Sequence, residues 1–210
     1  MARGEMFILA APSGTGKDTL ICEVMSAIDG LGHSVSHTTR RARQGEVDGQ
    51  DYHFVDREVF EAMIADDAFL EWAQYNHNLY GTSVVEVESR LDRGIDLLLD
   101  IEIVGTERLL ERCPEAHAIF VLPPSYRALE QRLISRGLDD AEAVVERLAL
   151  SLWEIERYGL FHYAIINDDL DCASQALAAI ILEKRHRVAR QEKSVQAVLK
   201  EFRRLSPQSG

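Results

Sequence analysis

The feature that most constrains the fold is a glycine-rich loop near the N-terminus. An apolar run, Met6–Ala10, precedes this loop, and apolar residues recur after it at helical spacing as far as Ile28. This order predicts a strand, a loop and a helix. In that setting, backbone N–H groups at the helix N-terminus bind phosphate and a lysine reaches its oxygens. The loop residues are Ala11, Pro12, Ser13, Gly14, Thr15, Gly16 and Lys17.

Two positions of the loop differ from the common phosphate-loop pattern. Ala11 stands at the first glycine, a change that is tolerated where φ is negative. Asp18 stands where a Ser or Thr normally binds Mg²⁺. Because a carboxylate is also a hard oxygen ligand, we expect Asp18 to contact the metal directly or through water. Thr19 remains available to contact a phosphate.

The rest of the chain alternates apolar runs with helical periods, which predicts an α/β fold. We expect a mostly parallel sheet with helices on both faces. Asp100 and Asn167 follow two of the predicted strands, so both should lie near the loop, where ligands bind in such sheets. Further strands are predicted at 95–101, 118–122 and 163–166, and helices at 57–69, 126–136, 140–158 and from 171 onward.

Composition and charge exclude several classes of function. The 210 residues are 46% apolar and 28% charged, which is typical of one globular domain with inserted lobes. The net charge of −12 argues against nucleic-acid binding, and no apolar run reaches the roughly 18 residues that cross a membrane. The start of the chain lacks a signal-peptide pattern. Three dispersed cysteines suggest neither a metal site nor a disulfide framework, so we expect a cytoplasmic protein.

Residues 34–54 closely resemble the signature of the guanylate kinase family, and the resemblance covers roughly residues 5–187. It implies a P-loop kinase core with a central parallel sheet, an inserted GMP-binding lobe and a helical lid. It also implies transfer of the γ-phosphoryl group of ATP to GMP with Mg²⁺. The further matches, in family order, are Phe69 to Trp72, Tyr80 to Ser83, Asp100 to Glu102, Pro123 to Ser125, Arg132 to Gly137 and Ile166 to Asp169.

The resemblance also implies how the chain is divided. We expect the core at 1–35, 84–125 and 158–187, the GMP-binding lobe at 36–83, the lid at 126–157 and a basic helical tail at 188–210. The segment 184–204 has eight Lys or Arg against two Glu. Apolar residues recur in the tail at helical spacing, which is consistent either with a homo-oligomerisation helix or with a half-ordered solvated end. They are Val195, Val198, Leu199 and Phe202.

The family pattern assigns the acceptor nucleotide to one set of side chains. Arg40, Arg43 and Tyr52 are expected to bind the phosphate of GMP, because guanidinium groups suit phosphate oxygens. Glu71 is expected to accept the adjacent N1–H and N2–H₂ donors of guanine, which adenine lacks. The expected GMP contacts are Ser36, Arg40, Arg43, Tyr52, Glu71, Tyr80, Thr82 and Asp100.

The donor nucleotide and the metal are assigned to the loop, the lid and the strand ends. The expected ATP contacts are residues 11 to 19 of the loop and first helical turn, together with Arg132, Arg136 and Asn167. Charge on the transferred phosphoryl group should be neutralised by Lys17, Arg40, Arg43, Arg132, Arg136 and Arg147. Asp18 and Asp100 are the expected metal contacts, directly or through water. Glu102 stands where the family usually has a second aspartate.

Two other interpretations remain open. A sister class of enzymes phosphorylates ribose 1,5-bisphosphate, and some of its members resemble this chain in having Lys-Asp in the loop. Arg43, Tyr52 and Glu71 favour GMP over that acceptor. Guanylate-kinase-like scaffold domains bind peptides without catalysis, but they have typically lost the glycine loop that this chain retains.

Overall fold

The structure, a computed structural model, describes residues 2–75, 77–135 and 141–205. A 3₁₀ turn at Tyr158–Leu160 precedes the last strand. In chain order the elements are β1 (Met6–Ala10), α1 (Lys17–Ala27), β2 (Leu31–His33), β3 (His37–Thr38), β4 (His53–Phe54), α2 (Arg57–Ala65), β5 (Phe69–Tyr75), β6 (Asn78–Ser83), α3 (Val84–Asp92), β7 (Asp96–Asp100), α4 (Ile103–Arg112), β8 (His117–Leu122), α5 (Tyr126–Ser135), α6 (Ala141–Ile155), β9 (Tyr163–Ile166), α7 (Leu170–Arg185) and α8 (Val188–Leu205).

The central sheet is parallel throughout and has the strand order β2-β7-β1-β8-β9. Its middle strand, β1, is buried along its whole length because helices cover both faces. Phe7 and Leu9 pack towards α1 and α7, whereas Met6 and Ile8 pack on the other face, towards α3 and α4. The predicted α/β fold is therefore confirmed, and the carboxyl ends of β1 and β7 lie side by side.

A second sheet, in the order β4-β3-β6-β5, is formed between His37 and Ser83. The sequence indicates β-prone character at 35–54 but predicts none of these strands individually, because β3 and β4 have two residues each and β5 begins at Phe69, the predicted end of a helix. The helix predicted at 57–69 is too long, since α2 ends at Ala65 and Phe69 begins β5. Phe69 packs against α2, where its ring stacks on that of Phe60 with centroids 4.4 Å apart. An apolar residue at position 69 therefore fits the helical spacing although it belongs to the next strand.

Helices α5 and α6 pack on each other through a small core of their own, formed by Leu129, Leu133, Val144 and Leu148. This pair covers the glycine loop. A Cβ atom added to Gly14 would lie only 2.8 Å from Cδ2 of Leu133. Helix α5 therefore lies so close to the loop that a side chain at position 14 would clash with Leu133.

The C-terminal helix α8 is attached to the core at its first turns and has no buried residue. The buried carboxylate of Asp96 accepts hydrogen bonds from Arg185 Nε at 2.6 Å and from Arg190 Nη1 at 2.9 Å. The same carboxylate also accepts the backbone N–H of Glu5 at 2.7 Å. None of the helices in the described part of the chain has the length and apolar character required to span a membrane.

Candidate active site

The glycine loop connects β1 to α1 and depends on two glycines in the left-handed region. Gly14 has φ of +89° and Gly16 has φ of +94°, a conformation that other residues adopt only with strain. A Cβ atom on Gly16 would also lie 2.9 Å from Nδ2 of Asn167. The hydroxyl of Thr15 is buried and donates to the Pro12 carbonyl at 2.7 Å. The backbone N–H groups of the loop are thereby arranged around the N-terminus of α1.

Asn167 and Arg132 hold this loop from the side. The Asn167 amide donates to the carbonyl of Thr15 at 2.8 Å. Arg132 donates to the same carbonyl from Nη1 at 3.1 Å and to the Asn167 carbonyl from Nη2 at 2.9 Å. The structure therefore brings two residues predicted for ATP binding onto the loop, where each bonds its backbone.

Arg147 is the second lid arginine that the structure places at the loop. Its Nη1 donates to the hydroxyl of Ser13 at 3.0 Å. Arg136, the third predicted lid arginine, lies outside the described residues. Because α6 carries Arg147 and α5 carries Arg132, the loop is contacted from both helices of the pair.

A cavity of about 310 Å³ opens beside the loop, and seven of the predicted site residues line it: Lys17, Asp18, Ser36, Tyr52, Glu71, Tyr80 and Asp100. Lys17 Nζ forms an ion pair there with Asp100 Oδ1, at the carboxyl end of β7. Burial lowers the pKa of Lys17, and the nearby carboxylates of Glu102, Asp18 and Glu154 oppose this effect. The residues lining the cavity are Lys17, Asp18, His33, Ser34, Ser36, Asp51, Tyr52, Glu71, Ala73, Tyr80, Asp100, Ile101 and Glu102.

Arg40 is occupied by a carboxylate that the sequence did not single out. Its two terminal nitrogens bond both oxygens of Glu46, at 2.9 and 2.8 Å. Glu46 also accepts the backbone N–H of Arg43 at 2.6 Å. The Arg40 hydrogen bonds, with that backbone bond, lower the pKa of Glu46 to about 2. A bidentate carboxylate therefore stands where a phosphate was expected, and the Arg43 side chain is exposed.

Three further predicted acceptor contacts line the cavity: Ser36, Tyr52 and Tyr80. The ring of Tyr52 meets that of Tyr80 edge-on, with centroids 6.0 Å apart, and the Arg40 guanidinium lies 5.3 Å from the Tyr52 ring centroid. Ser36 lines the same cavity. Ser34, which sequence reasoning missed, is 3% exposed and its hydroxyl has no hydrogen-bond partner among the described residues.

Glu71 faces the cavity from a bulged part of β5. The register with β6 shifts between Phe69 and Glu71, and Glu71 then pairs directly with Thr82. Such bulges turn a side chain out of the regular alternation. The Thr82 hydroxyl, which is 1% exposed, donates to Glu71 Oε1 at 2.8 Å. Burial raises the pKa of Glu71 to about 7, against the opposing effects of that hydrogen bond and of Arg108.

Glu154, on the lid helix α6, is a second buried carboxyl group that the sequence did not reveal. It is 7% exposed, and its Oε2 has no hydrogen-bond partner in the described part of the chain. Burial and the charge of Glu102 raise its pKa to about 7, and Lys17 acts in the opposite direction. One signal was present, because Glu154 follows Arg147 by seven residues and so shares its helix face.

Replacing Glu154 by glutamine is expected to change how stability depends on pH. The wild-type carboxyl ionises near 4.5 when unfolded and at about 7 when folded. Its unfolded state therefore gains charge first, and stability is lost as the pH rises from about 4.5 to 7. We expect Glu154→Gln to gain about 1–2 kcal/mol relative to wild type between pH 4 and pH 8, measured by urea unfolding. Glu156→Gln, at an exposed neighbouring position, is the control. Parallel curves for all three proteins would contradict this account.

Known proteins resemble this chain over most of its length. The family model described as guanylate kinase matches residues 3–184. The guanylate kinase of Thiobacillus denitrificans is 44% identical over 202 residues, which cover 96% of this chain and 97% of the relative. That of Shewanella violacea is 47% identical over 185 residues, covering 88% and 89%. The crystal structure of guanylate kinase from Anaplasma phagocytophilum has a TM-score of 0.70 at 29% identity and covers 90% of both chains.

Proposed function

This chain belongs to the guanylate kinase family, and we propose that it transfers the γ-phosphoryl group of ATP to the phosphate of GMP. One observation carries the proposal: a single cavity joins Lys17 of the glycine loop to Glu71 of the second sheet. The loop end suits a triphosphate and the Glu71 end suits a guanine. A phosphoryl group transferred between two nucleotides needs both ends in one enclosure.

Two ion pairs in the structure stand in for substrate phosphates. Lys17 is paired with Asp100, and Arg40 with Glu46. In the proposed reaction, the β- and γ-phosphates of ATP take the lysine and the phosphate of GMP takes the arginine. Each cation thereby exchanges one anion for another, so neither charge is left unpaired during binding.

Catalysis is proposed to depend on positioning and charge neutralisation. The phosphate of GMP is already ionised at neutral pH, so no general base is needed to activate it. Lys17 and the lid residues Arg132 and Arg147 would neutralise the transferred group. The lid pair α5 and α6 would exclude water, since an open site would hydrolyse ATP.

Magnesium is the proposed metal, and Asp18 and Asp100 are the residues that would hold it. Both line the cavity beside Lys17. Mg²⁺ usually binds one or two carboxylates together with substrate phosphates and waters, so this pair fits it. No three His, Cys, Asp or Glu side chains of the described residues form a protein-only metal cluster. When bound, the ion would neutralise charge on the β- and γ-phosphate oxygens.

A panel of acceptors with MgATP tests the proposed function. ADP formation is measured with GMP, AMP, CMP, UMP and ribose 1,5-bisphosphate, each over a range of concentrations. We expect efficient turnover with GMP alone, because the other bases do not present two adjacent donors to Glu71 in the same way. Faster turnover of ribose 1,5-bisphosphate would replace this proposal with the sister class. ATP binding without any turnover would favour a non-catalytic domain.

We propose that the protein acts in the cytoplasm. Cys22, Cys113 and Cys172 are all free thiols in the structure, which fits a reducing compartment. Both proposed substrates are small soluble nucleotides.

The α8 helix is proposed to join two copies of the chain. Val195, Val198, Phe202 and Leu205 lie at spacings of three, four and three positions, with Leu199 beside them. This pattern builds coiled coils, and a second copy presents the same stripe. All of them are exposed: Val195, Val198, Leu199, Phe202 and Leu205.

Charged substitutions on this stripe are expected to produce a monomer. Val198→Asp combined with Phe202→Asp places two negative charges at the proposed contact, whereas Gln196→Asp places one negative charge on another face of α8 and serves as the control. Light scattering measures the mass of each protein. We expect wild type and the control to have twice the mass of the double variant. A wild-type mass of one chain would contradict the proposed dimer.

A further inference from the structure

Helix α4 packs against β5, the strand that carries Glu71. A second cavity, of about 250 Å³, adjoins Glu71 and is lined by Glu71, Trp72 and Arg108 among others. The first turns of α4 approach the carboxylate closely. A Cβ atom added to Gly105 would lie 2.7 Å from Cγ2 of Ile101 and 2.8 Å from Glu71 Oε2. The carboxylate therefore occupies space that any side chain at position 105 would take.

Arg108, one turn further along α4, is held next to Glu71. Its Nη1 donates to the carbonyl of Trp72 at 3.0 Å, and its guanidinium lies 5.9 Å from the centroid of the Trp72 ring. Trp72 directly follows Glu71 in β5, so this contact keeps the cation near enough to the carboxylate for its charge to act on Glu71. Arg112, the next arginine of α4, instead pairs with Asp67 at 2.8 Å.

Three groups, from β6 and from α4 with its N-cap residue, act on the charge of Glu71. Thr82 of β6 donates a hydrogen bond, Arg108 of α4 favours the anion, and Glu102 at the start of α4 disfavours it. Arg108 is the cation that opposes the effect of burial on the Glu71 pKa. The other titratable groups that face the shared cavity are Lys17, Asp18, His33, Asp51, Tyr52, Tyr80 and Asp100, and those that line the second cavity with Glu71 and Arg108 are Asp67, Glu111 and Arg112.

We propose that Arg108 and Gly105 are positioning residues for guanine: Arg108 keeps the Glu71 carboxylate as an anion, and Gly105 leaves it the room it needs. The inference rests on the proposed function, since it assigns Glu71 to the base of GMP. An anionic carboxylate accepts two hydrogen bonds from guanine. A protonated one points an O–H donor at a second donor, which costs a hydrogen bond.

The charge of Arg108 therefore acts on GMP affinity in a way that depends on pH. The pKa of Glu71 is about 7, so near that pH the binding-competent anion is only part of the population. Loss of the arginine raises this pKa, and the anion then forms only at higher pH. A rise of about one unit increases the KM for GMP about fivefold at pH 7 and leaves it nearly unchanged at pH 9.

The test measures the KM for GMP and for ATP between pH 6.5 and pH 9 in Arg108→Gln, Arg108→Lys and the matched control Arg112→Gln. We expect Arg108→Gln to raise the KM for GMP about fivefold near pH 7, with recovery by pH 9. Arg108→Lys and Arg112→Gln should follow wild type, and the KM for ATP should not change. An equal defect at every pH, or no defect at pH 7, would overturn the role of the Arg108 charge.

The role of Gly105 is tested by substituting alanine, which adds one methyl group at this position. Gly105→Ala is expected to raise the KM for GMP about tenfold at all pH values, because the added Cβ displaces the carboxylate. Gly159→Ala is the control, since a Cβ atom there meets nothing within 4 Å. Calorimetric titration with GMP repeats the comparison without turnover. An unchanged KM in a folded Gly105→Ala protein would overturn the proposal, whereas wild-type enzyme that fails to phosphorylate GMP would instead overturn the proposed function.

Discussion

Replacing Lys17 by methionine is expected to lower kcat about 10³-fold with GMP and MgATP, while the protein stays folded. The lysine begins α1 directly after the glycine loop, and its amine lies in the cavity against Asp100. Methionine has a similar length and apolar stem, so the substitution removes the charge with little change in packing. The loss should fall on kcat, because the charge matters most while the phosphoryl group is in transfer.

A coupled assay of ADP formation measures this effect, and thermal unfolding monitors the fold. Lys200→Met serves as the control because that lysine is exposed on α8. We expect the control to retain wild-type kcat and both variants to unfold near the wild-type temperature. Retained turnover in Lys17→Met would contradict the proposed mechanism, since no other lysine lines the cavity among the described residues.

Replacing Glu71 by glutamine is expected to lower kcat/KM for GMP by about 10²- to 10³-fold. Glutamine keeps one acceptor oxygen but presents an NH₂ group to a guanine donor. The Thr82 hydroxyl can still donate its hydrogen bond to the glutamine oxygen, so we expect the local structure to be preserved. The KM for ATP should be unaffected, because the loop end of the cavity is unchanged.

Steady-state kinetics with GMP and AMP measure the change as a ratio of the two acceptors. Glu58→Gln is the control, since Glu58 is exposed on α2. We expect the preference for GMP to fall in Glu71→Gln and to persist in the control. A Glu71→Gln enzyme with wild-type kcat/KM for GMP would remove this residue from base recognition, even if the enzyme remained a kinase.

Local patterns predicted the core of the fold and the phosphate end of the site. The apolar strand before a glycine loop, and the helical period after it, are contiguous in the chain, so their physics is readable from it. The strands ending at Asp100 and Ile166 were found for the same reason. Strands β2 to β6 were not predicted individually. β2, β3 and β4 have only two or three residues, and such short strands depend on their partners more than on their own composition.

The sequence by itself determined the α/β class, the loop around Lys17 and, through family resemblance, the residues expected to bind both nucleotides. Only the tertiary structure decided how the charges of those residues are balanced. It showed the pairing of Arg40 with Glu46 and the burial of Glu154. It also placed Gly105 of α4 against Glu71. These relations join residues distant in the chain or depend on burial, and a pKa is set by the surroundings that folding brings together. The glycine loop alone predicts a phosphate site, whereas the packing around it determines which charged groups pair with each other and how their pKa values shift.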